Sequence, residues 1–159
     1  MEICFSPIGT IHSPFHELSE MPIQPVSESS APGTVEILPE YIPGLKDLEG
    51  FSHIILIYYL HYSHQYSLSV TPFLDEEPHG VFATRAPRRP NPIGLSVVKL
   101  TRLEENILHV DHLDVLDGTP LLDIKPYIPE FDSPPAIRLG WLESAKHKLR
   151  SVRSDQRFG

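Results

Sequence analysis

Residues 95–115 read Leu95-Ser96-Val97-Val98-Lys99-Leu100-Thr101-Arg102-Leu103-Glu104-Glu105-Asn106-Ile107-Leu108-His109-Val110-Asp111-His112-Leu113-Asp114-Val115. The apolar pattern has period two on both sides of Glu104-Glu105-Asn106, which reads as strands Leu95–Leu103 and Ile107–Val115 joined by a hairpin turn. In the second strand Leu108 and Val110 share one face, whereas Leu113 and Val115 have the opposite parity. A bulge near Asp111–His112 returns all four to one buried side, and bulges often lie beside functional sites.

The same pattern extends outward in short runs cut by turn residues. It predicts further strands at Ile3–Ile8, Thr34–Leu38, His53–Leu60, Gly80–Thr84, Leu121–Tyr127 and Ile137–Trp141. Ile54–Leu60 is apolar on both faces, as a central strand is. Gly44–Glu49 reads as one helical turn and Leu142–Leu149 as a short terminal helix. Residues 12–33, rich in Pro and Ser, and 62–79, with Asp75-Glu76-Glu77, read as long loops, which in a small domain are usually functional or disordered. Many short strands with few helices point to an antiparallel barrel or sandwich. The alternating long helices of a doubly wound nucleotide fold are absent.

Composition narrows the class. The chain has 159 residues, 40% hydrophobic and 21% charged, enough for one folded domain with one core. Its 17 Pro against 9 Gly argue against a helical bundle, because proline is excluded from helix interiors. A net charge of -8 argues against a protein that grips nucleic acid over its whole surface. The charge is segregated, however. Residues 1–143 carry 8 Lys and Arg against 20 Asp and Glu, whereas residues 144–159 carry Lys146, Lys148, Arg150, Arg153 and Arg157 against Asp155 alone. This divides the chain into a domain, 1–143, and a basic C-terminal tail, 144–159. The tail reads either as a solvated terminus or as a phosphate-contacting arm. Cys4 is the only cysteine, which excludes an internal disulfide. The start reads as lacking a signal peptide, and no apolar run reaches the ~20 residues of a membrane span. A cytoplasmic chain with no membrane partner is expected. His61 with His64, or His109 with His112, would point to opposite strand faces, so no metal site is expected.

Two segments carry chemistry. In Gly80-Val81-Phe82-Ala83-Thr84-Arg85-Ala86-Pro87-Arg88-Arg89-Pro90-Asn91-Pro92-Ile93-Gly94, prolines stiffen a loop that carries three guanidinium groups. Such forks suit phosphate or carboxylate. In Asp114-Val115-Leu116-Asp117-Gly118-Thr119-Pro120, a tight turn brings two carboxylates and exposed amides to a strand end. Either aspartate can accept hydrogen bonds from a ligand amine or ribose. Gly94-Leu95-Ser96 lacks the flanks of a nucleophile elbow, and Ser96 reads as an ordinary strand residue. Glycine-rich dinucleotide and phosphate loops are missing.

The two segments together resemble the TrmO (TsaA, YaeB) family of S-adenosylmethionine-dependent tRNA methyltransferases. Residues 82–96 match its Phe-Ala-Thr-Arg-x-Pro-x-Arg-Pro-Asn-Pro-Ile-Gly-x-Ser pattern, and residues 117–127 its Asp-Gly-Thr-Pro-x-x-Asp-Ile-Lys-Pro-Tyr. Residues 8–15 and 48–53 resemble the family's opening and its central strand entry. The resemblance implies an all-β fold, a small antiparallel β-barrel with long loops and at most short helices, that forms a homodimer. It implies N6-methylation of threonylcarbamoyladenosine at position 37, in the tRNA anticodon loop. It places the cofactor, S-adenosylmethionine, on Pro22, Ile23 and Gln24; His61 and Tyr62; Arg85; Leu95; and Asp114, Val115, Leu116 and Asp117. Ile23 departs from the arginine that many relatives carry there.

The residues fit that chemistry. Leu95 and Leu116 can line an apolar slot, and Asp114 or Asp117 can face the cationic and amino groups. The attacking nitrogen must lose a proton, which nominates Asp114 or Asp117 as catalytic acceptor. Arg88, Arg89, Lys146, Lys148 and Arg150 are nominated for tRNA phosphates, and Tyr59, Tyr62 or Tyr66 for base stacking. The competing expectation is a noncatalytic β-barrel module that binds RNA or a nucleotide.

Overall fold

A computed structural model describes residues 1–21, 31–135 and 138–145. In chain order its strands are β1 Gly9–His12, β2 Ala31–Ile37, β3 His53–Tyr59, β4 Ser69–Val70, β5 His79–Gly80, β6 Ile93–Glu104, β7 Ile107–Leu113 and β8 Thr119–Pro126. Six of them close an antiparallel barrel in the order β1–β2–β7–β6–β3–β8, while β4 and β5 pair separately. Closure leaves no unpaired edge to template aggregation.

Alternate residues point inward and fill the barrel. Ile11, Val35, Ile37, Ile54, Leu56, Val98, Leu108, Val110, Leu113, Val115 and Leu121 are buried there. The nominated hairpin is present: Glu104 pairs with Ile107 across a two-residue turn, and Glu105 takes φ 52. The bulge is also present. Between Ala31↔Leu113 and Gly33↔Val110 β7 spends one more residue than β2, and His112 takes φ 63. That extra residue turns His112 outward and returns Leu113 to the core.

Several elements differ from the sequence reading. Ile3–Ile8 is not a strand, and Ile3 and Phe5 are exposed. Pairing starts at Gly9, where an added Cβ would lie 2.3 Å from the Glu36 carbonyl oxygen, so only glycine permits that approach. Gly80–Thr84 is not a strand either: Val81–Ala83 forms a 3-10 turn, with the Thr84 amide and hydroxyl both donating to the Val81 carbonyl. Trp141, assigned to a strand at Ile137–Trp141, lies in a 3-10 helix, Gly140–Ser144, and Ile137 is outside the described residues. The same 3-10 helix stands where the terminal helix was expected, from residue 146 outside the described region. The helical turn becomes two 3-10 helices, Pro39–Leu45 and Leu48–Gly50. The 62–79 loop is organised by β4 and β5 over a small second core of Val70, Val81 and Ala86. In β3 only Ile54, Leu56 and Tyr58 are buried, whereas Ile55 and Ile57 are half-buried, because a closed barrel has a single interior face.

Candidate functional site

The strand registers place both motif loops at one end of the barrel. β3 finishes there at Tyr59 opposite Ile93 of β6, and the β7–β8 loop crosses there between Leu113 and Thr119. The other end holds a cleft of about 520 Å³ lined by residues such as Ile8, Tyr41, Lys46, Phe51 and Asp123, none of them nominated above.

The β7–β8 loop is fastened to the segment after β1. Asp117 donates its backbone N–H to the Phe15 carbonyl (2.8 Å), and Gly118, with φ 77, donates its own to Ile11 (2.9 Å). The Asp117 carboxylate accepts from the Ser13 N–H at 2.9 Å, and the rings of His12 and His16 lie 3.7 and 3.4 Å from its two oxygens. Asp117 therefore ties the loop to residues 12–16. Leu116 is buried and its carbonyl accepts from the Thr119 hydroxyl at 2.7 Å.

Asp114 is different. It is 9% exposed and joins a line of hydroxyl groups running across the barrel. Ser96 of β6 donates to Asp114 Oδ1 at 2.5 Å, and the Tyr58 hydroxyl of β3 stands 2.8 Å from Ser96 Oγ. With Asp114 charged, Ser96 places its one proton on the carboxylate, and Tyr58 is then the donor to Ser96. Burial lifts the Asp114 carboxyl to about 7, against the opposing pull of the Ser96 hydrogen bond, its own backbone amide and the Arg85 charge. Burial, then the Asp114 charge, hold the Tyr58 phenol above its ordinary range, while the Ser96 bond and Arg85 act the other way. The Tyr58 ring lies over Gly94, where a Cβ would stand 2.1 Å from Cε2. Sequence reading passed over Tyr58 and Ser96. The available signal was Gly94 two residues before Ser96, a strand glycine marking close approach of another group.

The arginine loop is built as its prolines suggest. Arg89 Nη1 donates to the carbonyls of Thr84 (2.8 Å), Val81 (3.2 Å) and Ala86 (3.2 Å), so this guanidinium nitrogen organises its own loop. The Ser63 hydroxyl donates to Pro87 O (2.9 Å) and the Ser67 N–H to Arg88 O (3.3 Å), joining the His61–Tyr62 segment to the arginines. Trp141 Nε1 donates to Ala83 O at 2.8 Å while its ring stacks on His79 at 4.7 Å. His61 and Tyr62 meet with ring centroids 4.3 Å apart, and burial lowers the His61 pKa.

His61, Tyr62, Arg85 and residues 114–117 thus gather at one barrel end. Leu95 projects from the face of β6 opposite to Ser96 and is 49% exposed. Tyr59, Tyr62 and Tyr66 are exposed, as base stacking requires. Pro22, Ile23, Gln24, Lys146, Lys148 and Arg150 lie outside the described residues. Among the described residues no cluster of His, Cys, Asp and Glu can hold a metal ion, and no helix is long and apolar enough to cross a membrane.

Comparison with known proteins agrees with the motifs. The family described as the tRNA-methyltransferase O N-terminal domain matches residues 10–133. A probable S-adenosyl-L-methionine-binding protein of Pyrococcus abyssi is 58% identical over 156 residues, covering 98% of this chain and 85% of its own length. The tRNA (adenine(37)-N6)-methyltransferase of Escherichia coli is 37% identical over 151 residues, covering 89% of this chain; the chain spans 64% of that relative. The crystal structure of TrmO from Pseudomonas aeruginosa superposes with TM-score 0.74 at 41% identity, covering 89% of this chain and 63% of the solved one.

Proposed function

The chain belongs to the tRNA-methyltransferase O family, and from that membership we propose that it is an S-adenosylmethionine-dependent methyltransferase acting on N6 of threonylcarbamoyladenosine at position 37 of tRNA. The observation that carries this reading is the buried carboxylate of Asp114, hydrogen-bonded by Ser96 and within the field of the Arg85 charge, where both family motifs converge on one end of the barrel.

The residues present suit the cofactor. It carries a sulfonium, an amino acid head and an adenosine, and the site offers carboxylates at 114 and 117, a guanidinium at 85 and the apolar side chain of Leu116, while Leu95 stands on the outer face of β6. When bound, S-adenosylmethionine supplies an electrophilic methyl carbon. The protein's own tasks are alignment and exclusion of water, effects worth up to about 7–11 kcal/mol when geometry is good. Arg85 orients the amino acid head, with Pro22, Ile23, Gln24, His61 and Tyr62 completing the cradle. Asp114 accepts the proton that the attacking nitrogen loses, because it is buried and burial lifts its carboxyl to about 7. Asp117, engaged by Ser13 and two histidines, holds the loop that presents Asp114.

An anticodon-loop base is already largely unstacked, so its presentation costs less than flipping a paired base. Exposed Tyr62 and Tyr66 stack on bases, and Arg88 with the tail residues Lys146, Lys148 and Arg150 neutralises phosphates. Arg89 contributes by shaping the loop that carries Arg88. The active form is a homodimer in the cytoplasm, supported by the exposed apolar side chains Ile93, Leu95 and Tyr59 on the outside of β3 and β6.

Nucleoside mass analysis tests the reading. Purified protein and S-adenosylmethionine are incubated with tRNA that carries, or lacks, the threonylcarbamoyl group. One added methyl on the modified nucleoside alone supports the assignment. Methylation of the unmodified adenosine corrects the substrate, and RNA binding without cofactor binding or transfer supports a noncatalytic module instead.

A further inference from the structure

We propose that Tyr58 and Ser96 are positioning residues: their directed hydroxyl chain fixes the Asp114 carboxylate and sets when it can take a proton from the substrate nitrogen. This rests on the functional reading above and gives a role to Tyr58 and to Ser96, the serine that closes the family pattern of residues 82–96.

The three groups come from separate elements, β3, β6 and the β7–β8 loop, yet they meet at 2.8 and 2.5 Å in a buried line. None of the buried side-chain polar atoms among the described residues lacks a partner, so no member of the line is orphaned. A buried hydrogen-bonded line of this kind holds its members in one geometry. When Asp114 is charged the line runs Tyr58 to Ser96 to Asp114, with both hydroxyl protons pointing toward the carboxylate. That arrangement favours the charged, proton-accepting form, in opposition to burial. The charged and titratable groups facing Asp114 are Tyr58 from β3 and Arg85 from the loop before β6; Asp117 on its own loop is turned to Ser13, His12 and His16.

The geometry also explains Gly94. Any side chain there would push into the Tyr58 ring and lift its hydroxyl from Ser96. In the transfer step the N–CH₃ bond forms as the S–CH₃ bond breaks, the sulfur keeps the bonding pair, and the nitrogen proton passes to Asp114. Solvent removes that proton after product leaves. Tyr58 and Ser96 touch neither reactant; they act through Asp114.

Two readouts test the inference. The Asp114 carboxyl is followed by carbon NMR titration in the cofactor-free protein, and single-turnover transfer is measured from pH 5 to 9. Tyr58→Phe keeps the ring over Gly94 and removes only the hydroxyl; Ser96→Ala removes the direct donor. Losing a charge-assisted hydrogen bond is expected to move the Asp114 titration upward by about one to two units in Ser96→Ala, and less in Tyr58→Phe. The acid limb of the rate profile should move with it, with the single-turnover rate constant falling and the tRNA concentration that gives half of it unchanged. Titration curves and rate profiles that superimpose on those of the wild type overturn the inference while leaving the methyltransferase reading intact. A wild type that transfers no methyl group overturns that reading itself.

Discussion

Replacing Gly94 with alanine puts a methyl carbon 2.1 Å from Tyr58 Cε2, 2.6 Å from Cζ and 2.8 Å from Cδ2. These separations are far inside van der Waals contact, and the ring is 6% exposed, so it cannot move into solvent without opening the core. Overpacking of this kind costs about 1–3 kcal/mol. Displacing the ring also breaks the Tyr58–Ser96 bond, adding about 1 kcal/mol. Gly94→Ala is therefore expected to destabilise by about 2–4 kcal/mol. Without the ring the sign reverses, because Gly94 has no positive φ and alanine is preferred to glycine in a strand by about 0.5–1 kcal/mol. In a Tyr58→Val background Gly94→Ala should thus be neutral or slightly stabilising, a coupling of about 2–5 kcal/mol. Urea unfolding of the four proteins at one pH measures it. Additive effects, or a single-mutant cost under about 0.5 kcal/mol, would refute the placement of Tyr58 over Gly94 and with it the hydroxyl chain.

Other consequences are equally direct. Folding raises the Asp114 carboxyl from 3.8 to about 7, so its contribution to stability is full below pH 4 and is lost as pH rises through about 7. Asp114→Asn should consequently be more stable than wild type at pH 8, by up to about 4 kcal/mol, with the gap closing toward pH 4 in parallel denaturation curves. Arg89→Ala removes the nitrogen that serves three backbone carbonyls, and should lower stability by about 2 kcal/mol and speed proteolysis within 80–92. Arg88→Ala should weaken tRNA binding uniformly and reduce the salt slope by about one, read by filter binding at several salt concentrations. Trp141→Phe removes the bond to Ala83 and should raise amide exchange at Val81–Arg85, with barrel amides unchanged.

Where one local rule decided an element, the sequence was readable. The opposite parities of Val110 and Leu113 can share a core only through an extra residue, and the bulge with left-handed His112 is there. The dense prolines announced a rigid arginine loop, and the family motifs announced the barrel. Where structure depended on a contact distant in sequence, reading failed. Ile3–Ile8 has strand composition, but its backbone meets neighbours only at Ile8, whose N–H donates to Leu121 and whose carbonyl accepts from Leu38, just before the ladder opens at Gly9 and Ile37. Gly80–Thr84 has strand residues, yet the Val81 carbonyl captures Thr84 and Arg89 and bends the chain. Asp114 and Asp117 were equivalent as letters. Only the fold separates them, burying one behind Ser96 and tying the other to Ser13. Arg89, nominated for phosphate, is drawn to its own loop by carbonyls that no spacing rule reveals.

The central claim is that the barrel end carrying Arg85 and Asp114 transfers a methyl group to tRNA. Incorporation of labelled methyl from S-adenosylmethionine into tRNA tests it most directly, with wild type beside Arg85→Ala and with the thermal midpoint of each recorded. The account predicts transfer by the wild type to one nucleoside, and a loss of at least about 100-fold in Arg85→Ala at a preserved midpoint, the scale of a lost charge-assisted contact of about 3 kcal/mol. Undiminished transfer by Arg85→Ala, or none by a wild type that still binds tRNA, would contradict it.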